Sequence, residues 1–287
     1  MRAKMDKIEA LVRENQLNLY DVAIMTESGI ESRRLQPCNA CNDSYSVAKA
    51  FTMTAVGLLW DRGLLGMEDH VADILRDKIP SECDPMWERV TVQHALTHRV
   101  GFEAGFLDID QEDVSVYGTQ DYLRLVFGHS LRYAPGTVYV YSDAAYYLLS
   151  RVVSAISGRL LDNLLMEAVC APMKFAEIAW SHCPQGYPLG ATGLYLSAAD
   201  MVKLAWPYVN GGEYHGIPIL SQAWVKLVLE RQYGFIPLGY GDLMGKDGMN
   251  GQMLLFSPSR RFAAAWHGYE PRRRDKVMLE WLNGLMD

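Results

Sequence analysis

The spacing of apolar and polar residues predicts strands near both ends of the chain and helices between them. Residues 20–26 and 30–35, joined by a Glu-Ser-Gly turn, predict a β-hairpin. Residues 252–256 and 261–267, joined by a Ser-Pro-Ser turn, predict a second hairpin. Helical spacing, with caps at several starts, predicts helices over residues 4–15, 44–63, 120–127, 143–156, 197–209, 221–231 and from Pro271 onward.

This order of elements indicates an α+β fold. One antiparallel sheet would be assembled from both ends of the chain, flanked by terminal helices, with an all-helical lobe inserted. No repeat or low-complexity linker divides residues 1–287, so a single domain is expected. We place its α/β lobe at residues 1–62 with 185–287, and its helical lobe at residues 63–184.

Residues 44–63 form the most unusual of the predicted helices. The segment is apolar on every side, which is typical of a buried helix, and Lys49 is the only charged residue in its first turns. Burying an ammonium group costs several kcal/mol unless a partner compensates. Ser46 stands three residues before Lys49, so a helix would present hydroxyl and amine side by side.

Two interpretations of Ser46 and Lys49 follow from these residues alone. In one, Ser46 is a nucleophile activated beside an amine. In the other, Ser44 or Ser46 caps the helix and Lys49 extends to solvent. A Ser-x-x-Lys pattern by itself favours the second interpretation, since it recurs by chance in many chains.

The charge balance limits the partners of the protein. A net charge of −7 and a pI near 5.5 argue against nucleic acid and anionic membranes, so the run Arg272-Arg273-Arg274 is interpreted as a solvated helix start. No apolar run approaches the roughly 20 residues that span a bilayer, and the charged first residues predict a cytoplasmic protein. The partner expected instead is a small-molecule or short-peptide substrate.

Cysteine and histidine spacing predicts no metal site. The five cysteines are scattered and odd in number, which suits reduced thiols, and the seven histidines show no ligand pattern. No cofactor is expected.

Two further motifs strengthen the interpretation of the Ser-x-x-Lys pattern as a catalytic site. Tyr141-Ser-Asp143 lies just before a predicted helix, and Lys246-Asp247-Gly248 is predicted to open the strand that runs on to Phe256. With these motifs in this order, the sequence resembles the serine β-lactamase and penicillin-binding-protein family, especially its class C and esterase-like branch. That family carries Ser-x-x-Lys, then Tyr-x-Asn, then Lys-Thr-Gly or His-x-Gly, and further matching segments extend over most of the chain.

The resemblance implies a β-lactamase/transpeptidase-like fold and a set of residue roles. Ser46 would be the acylated nucleophile, Lys49 its amine neighbour, Tyr141 the base and Lys246 a support for the tyrosine or the substrate. The backbone N–H groups of Ser46 and Met249 would form the oxyanion hole, and Gly248 would allow close approach of the backbone. The family's segment around His98 is structural.

Asp143 and Asp247 depart from the family pattern, which has an amide and a threonine there. An anionic Asp143 would keep Lys49 protonated, and two cations would lower the pKa of Tyr141 from about 10 toward the working range. We therefore expect Tyr141 to be the base and Asp247, on the substrate side, to disfavour carboxylated substrates.

The function that the resemblance implies is a serine hydrolase that cleaves an ester or amide. Esterase, D-amino-acid peptidase and β-lactamase activities all stay open. The alternative is a non-catalytic family member that binds a small ligand or peptide.

Overall fold

The computed structural model describes residues 2–285, and the chain divides into two compact units. The first unit holds the chain up to Val47, Met173–Ala179 and the chain from Leu194 onward, and the second holds Ala48–Pro172 and Trp180–Gly193. Among the described residues, no helix is long and apolar enough to cross a membrane. The fold is α+β, as predicted.

The strands of the described residues are β1 (Leu19–Thr26), β2 (Gly29–Arg34), β3 (Asn42–Asp43), β4 (Ile178–Trp180), β5 (Leu194–Leu196), β6 (Glu213–Tyr214), β7 (Ile217–Pro218), β8 (Ile236–Pro237), β9 (Met244–Asp247), β10 (Met253–Ser257) and β11 (Phe262–Gly268). A six-stranded antiparallel sheet dominates the first unit, with strand order β2-β1-β11-β10-β9-β8. Both predicted hairpins are confirmed. The N-terminal hairpin joins the C-terminal one through β1 and β11, so the prediction of one sheet built from both ends is confirmed as well.

The helices are α1 (Arg2–Glu14), α2 (Ala48–Asp61), α3 (Val71–Ile74), α4 (Val92–Leu96), α5 (Tyr122–Gly128), α6 (Asp143–Ser157), α7 (Leu161–Leu165), α8 (Ala198–Val209), α9 (Gln222–Arg231) and α10 (Val277–Leu285). In the first unit, α1 and α10 bury their apolar faces on one face of the sheet. Residues of this core include Ile8, Val22, Phe262, Trp266 and Met278. The helix α8 packs on β1, β10 and β11. Ser197 and Ser221 cap α8 and α9 through their side chains, as predicted.

The second unit is helical, with α2 packed against α6 and α7. Every residue of α2 from Ala48 to Leu59 is buried, which matches the absence of a polar stripe in its sequence. These contacts group α2 with the second unit, whereas the sequence analysis had grouped residues up to 62 with the first.

Two predicted elements near the C-terminus are wrong. Lys246 and Asp247 end β9 and do not open the strand that reaches Phe256; a 3-10 turn, Met249–Gly251, separates that strand from β9. Asn250 in this turn has a left-handed φ of 58°, which a continuous strand cannot accommodate. The last α-helix begins at Val277, after a separate 3-10 turn at Arg274–Lys276, and not at Pro271.

Candidate active site

Ser46 lies in a 3-10 turn, Tyr45–Val47, that leads directly into α2. Hydrogen bonds fix the approach to this turn: the Ser44 N–H donates to Leu194 O at 2.8 Å, and the Tyr45 N–H donates to Asp43 Oδ1 at 2.8 Å. Tyr45 has a φ of 47°, a strained conformation for a residue with a large side chain. The surroundings therefore hold the residue before Ser46 in one unusual geometry.

The end of β9 lies beside this turn, in the same unit. Gly248 makes the approach possible, because a Cβ atom at this position would lie only 2.4 Å from Ser44 O. Lys246, Asp247 and Met249 are thereby held next to the segment that carries Ser46. Met249 is in the 3-10 turn after β9, so its backbone N–H is on a turn and not on a strand as predicted.

Asp247 is compensated by two cations of the first unit. Arg273 donates from Nη1 to Asp247 Oδ2 at 2.7 Å, and the Nζ atom of Lys246 lies 3.6 Å from Asp247 Oδ1. Burial alone would raise the pKa of Asp247, but the attraction of Lys246 and Arg273 outweighs burial and lowers that pKa. Asp247 is therefore an anion whose charge is already shared with protein cations.

Arg273 was missed by the sequence analysis, which interpreted the arginine run as solvated. The Arg273 side chain is only 27% exposed, and its guanidinium also donates from Nε to Asp275 Oδ1 at 3.1 Å. Arg274 pairs with the buried carboxylate of Glu270. A run of arginines gives no local signal of such pairing, because the partners of Arg273 and Arg274 depend on how the chain folds.

Lys49 and Asp143 form a buried ion pair in the second unit. The Nζ atom of Lys49 lies 2.7 Å from Asp143 Oδ1, and it also donates to Ala191 O at 3.0 Å. The exposed fractions of the two side chains are 1% and 7%. Burial by itself lowers the pKa of Lys49, but attraction to Asp143 and Tyr141 outweighs burial, and the pKa ends above the usual value.

Tyr141 lies against the same ammonium. Lys49 Nζ is 4.8 Å from the centroid of the Tyr141 ring, and Tyr141 keeps 40% of its surface exposed. The pair is also joined by a hydrogen bond between their side chains. A partly exposed phenol thus lies directly beside the buried, protonated Lys49.

Two more carboxylates of the second unit come close to Asp143. Oxygen atoms of Asp108, Asp110 and Asp143 lie within 4.8 Å of one another, and Thr192 Oγ1 donates to Asp110 Oδ2 at 2.5 Å. Burial raises the pKa of Asp108, and Asp143 adds to that rise. The sequence analysis missed Asp108 and Asp110 because they lie in an irregular loop without a motif. Asp143 is already paired with Lys49, so the three carboxylates do not by themselves make a metal site. The expectation of no metal stays a prediction.

The eight residues predicted from sequence fall into two groups. Lys49, Tyr141 and Asp143 come together in the second unit. Five belong to the first unit, at the turn before α2 and at the end of β9: Ser46, Lys246, Asp247, Gly248 and Met249.

Comparison with known proteins relates the sequence of this chain to a family. A family model described as Beta-lactamase matches residues 39–267, which is most of the chain. Penicillin-binding protein 4 of Amycolatopsis lactamdurans is 27% identical over 233 residues, covering 69% of this chain and 60% of that protein. The chain thus spans less than two thirds of the length of this curated relative.

Solved structures show the same fold at low sequence identity. A Bacillus anthracis protein provisionally named a 6-aminohexanoate-dimer hydrolase superposes with a TM-score of 0.82 at 15% identity, over 96% of this chain and 79% of that one. EstCE1, described as a hydrolase with promiscuous acyltransferase activity, gives a TM-score of 0.71 at 14% identity, over 94% and 93% of the two chains.

Proposed function

The chain belongs to the beta-lactamase family of serine hydrolases, and we propose that it cleaves an ester or amide through an acyl-enzyme formed on Ser46. In this proposal Tyr141 is the general base, Lys49 is a fixed cation that stabilises its phenolate, and Lys246 supports the substrate or the tyrosine. The backbone N–H groups of Ser46 and Met249 would bind the developing oxyanion.

The observation that carries the proposal is the ammonium of Lys49 between Asp143 and Tyr141. An amine that is held protonated by a buried carboxylate cannot accept the proton of a serine hydroxyl. It can stabilise a phenolate beside it. The exposed Tyr141, not the buried Lys49, is therefore the group suited to take that proton.

The proposed reaction has two halves. Tyr141 takes the proton of the Ser46 hydroxyl as Oγ attacks the acyl carbon, and the carbonyl π electrons move to oxygen. When the tetrahedral intermediate collapses, the bond to the alcohol or amine breaks, and Tyr141 gives its proton to that leaving group. A water molecule then attacks the acyl-enzyme, Tyr141 takes its proton, and Ser46 leaves with that proton as the acid product forms.

Neutral acyl groups are the substrate class that we propose. Asp247 is an anion at the end of β9, where the family docks substrate carboxylates, so an added carboxylate would approach a negative charge. The names of the structural neighbours, a dimer hydrolase and a hydrolase with acyltransferase activity, support cleavage of an ester or amide in general and do not bear on the charge of the substrate.

Covalent labelling tests the nucleophile directly. We expect a fluorophosphonate to add once to the protein, with the adduct mapping to the peptide that contains Ser46. Turnover of p-nitrophenyl esters, D-amino-acid amides and nitrocefin would then distinguish esterase, D-amino-acid peptidase and β-lactamase activity. Ser46→Ala should abolish labelling and lower turnover at least about a thousandfold.

Ser44→Ala is the matched control for this test. Ser44 is two residues earlier, and its buried Oγ has no hydrogen-bond partner among the described residues, so its loss should change turnover little. Equal labelling of Ser46→Ala and wild type would refute the assignment of Ser46. A folded protein that takes no label and turns over no substrate would favour the non-catalytic ligand-binding alternative.

A further inference from the structure

His98 lies among three tyrosines of the second unit, one of which is Tyr141. The centroid of its ring is 4.5 Å from that of Tyr141, with the planes tilted by 32°. The Tyr146 ring lies at 5.1 Å and the Tyr139 ring at 5.8 Å. His98 itself is only 8% exposed and is held at a left-handed φ of 53° just after α4. The imidazole of His98 thus packs directly against the ring of Tyr141.

His98 also binds the backbone on both sides of Tyr141. The Val140 N–H donates to His98 O at 2.8 Å, and the Ser142 N–H donates to His98 Nδ1 at 3.2 Å. Since Nδ1 accepts a hydrogen bond, the imidazole must be neutral, with its proton on Nε2. One residue therefore binds the backbone N–H groups of Val140 and Ser142, the residues on either side of Tyr141, in addition to contacting its ring.

The loop on the other side of this segment leaves little room for adjustment. A Cβ atom at Gly105 would lie 2.4 Å from Tyr141 O, so the backbone of the loop closely approaches that carbonyl. The Ser142 hydroxyl also donates to Phe106 O at 3.2 Å. With both sides occupied, a change at His98 would be transmitted to the position of Tyr141.

We propose that His98 is a positioning residue for Tyr141: its neutral imidazole, through Nδ1 and its ring, holds the phenol in the orientation that proton transfer requires. The inference rests on the proposed function, in which Tyr141 is the general base. General-base transfer needs close geometry, and a misplacement of about 1 Å can cost about 100-fold in rate. His98 carries no proton to or from the substrate in this role.

Two substitutions separate the acceptor from the ring. His98→Asn keeps an oxygen at the place of Nδ1 and tolerates the left-handed φ, whereas His98→Phe keeps an aromatic ring and removes the acceptor. We expect His98→Phe to lower kcat about 10- to 100-fold with KM changed by less than about threefold. His98→Asn should retain several times more activity than His98→Phe.

His182→Asn is the matched control. His182 belongs to the same unit and bonds Asp162 at 2.8 Å, away from the tyrosine group. It should keep wild-type kcat. A kcat for His98→Phe within about twofold of wild type, or an equal loss in His98→Asn and His98→Phe, would overturn the inference.

A double-mutant cycle distinguishes positioning from a general structural effect. If His98 acts through Tyr141, adding His98→Phe to Tyr141→Phe should lower kcat by no more than about twofold further. If the two losses multiply, His98 acts independently of Tyr141 and the inference fails.

A spectroscopic readout keeps the test independent of turnover. With tyrosines labelled with ¹³C at Cζ, the Tyr141 resonance is identified by its loss in Tyr141→Phe. We expect this resonance to shift in His98→Phe and to stay unchanged in His182→Asn. If no substrate is ever hydrolysed, the proposed function fails, but this shift still shows whether His98 positions the Tyr141 ring. If His98→Phe does not fold, the same measurement on His98→Asn decides it, and an unchanged resonance overturns the inference.

Discussion

The ammonium of Lys49 lies 2.7 Å from the carboxylate of Asp143, and both groups are almost completely buried. A buried ion pair is stable as a pair, but each member is costly to leave alone. This relationship determines both the protonation of Lys49 and the stability of the helical unit.

Removing the charge of Asp143 should strongly destabilise the protein. Asp143→Asn leaves the buried Lys49 ammonium without its countercharge, and breaking such a pair costs about 3 kcal/mol or more in the free energy of unfolding. Denaturant unfolding measures the effect. Asp73→Asn, which breaks an exposed pair with Arg76 in the same unit, should cost less than about 1 kcal/mol. Similar losses in the two variants would contradict the importance of the buried pair.

The raised pKa of Lys49 predicts how this stabilisation depends on pH. A lysine whose pKa is higher in the folded state contributes its full stabilisation below the unfolded pKa, about 10.4, and loses it as pH rises through the folded pKa. The difference in unfolding free energy between wild type and the double variant Lys49→Met/Asp143→Leu, which removes both members of the pair, should therefore be constant from about pH 6 to pH 9. A difference that shrinks markedly before pH 9 would show that Lys49 loses its proton in the working range.

Tyr141→Phe tests the base. Loss of the phenol should lower kcat on the order of 10²- to 10⁴-fold, which is the usual contribution of a general base. Tyr139→Phe provides the comparison, because Tyr139 is two residues earlier, exposed, and also contacts the His98 ring. It should stay within a few-fold of wild type. A Tyr141→Phe enzyme with near wild-type kcat would return the role of base to Lys49.

Gly248→Ala should damage the protein at the turn before α2. Its new Cβ would meet Ser44 O at 2.4 Å, so β9 or the Ser46 turn must move, at a cost of about 1 to 3 kcal/mol. We expect turnover to fall together with the melting temperature. Gly128→Ala, at the end of α5, is the control: its added Cβ atom has no neighbour within 4 Å, so the melting temperature should stay the same or rise slightly. Wild-type activity in Gly248→Ala would show that the close approach is not needed.

The elements that could be predicted from sequence are those with a local signal. The short strand segments on either side of turn residues in β1, β2, β10 and β11 and the serine caps of α8 and α9 are such signals, and the structure has these elements. The buried character of α2 was equally visible, because its apolar residues cover every side.

What could not be predicted depends on distant parts of the chain. Strands of two residues, such as β3 and β8, exist only through their pairing and leave no periodic pattern. The break after β9 depends on the left-handed Asn250, and the burial of Arg273 depends on Asp247 and Asp275. His98 was interpreted as structural from the family resemblance. Its contacts with Tyr141 and Ser142 cross more than 40 positions of sequence, so no local pattern reveals them.

Substrate charge is the property that Asp247 should control, although less strongly than an isolated carboxylate would. Arg273 at 2.7 Å and Lys246 at 3.6 Å offset part of its charge. Charges about 4 to 6 Å apart interact by roughly 0.7 to 4 kcal/mol at effective dielectric constants between about 20 and 80. After this compensation, we expect Asp247 to disfavour a carboxylated substrate by about tenfold relative to its neutral analogue.

Asp247→Asn should therefore raise kcat/KM for a carboxylate-bearing ester about tenfold relative to the neutral ester, because Lys246 and Arg273 lose their internal partner. Asp242→Asn, which removes an aspartate near Arg260 in the same unit, should leave this ratio unchanged.

The lowered pKa of Asp247 also predicts how this selectivity depends on pH. Asp247 is charged at every pH above the ordinary aspartate pKa, about 3.9, and it loses that charge only as pH falls through its lower pKa in the folded protein. The wild-type ratio should thus be constant from about pH 5 to pH 8. If the ratio is the same in Asp247→Asn and wild type, Asp247 does not select against anions, and carboxylated β-lactam or D-peptide substrates become as plausible as neutral esters.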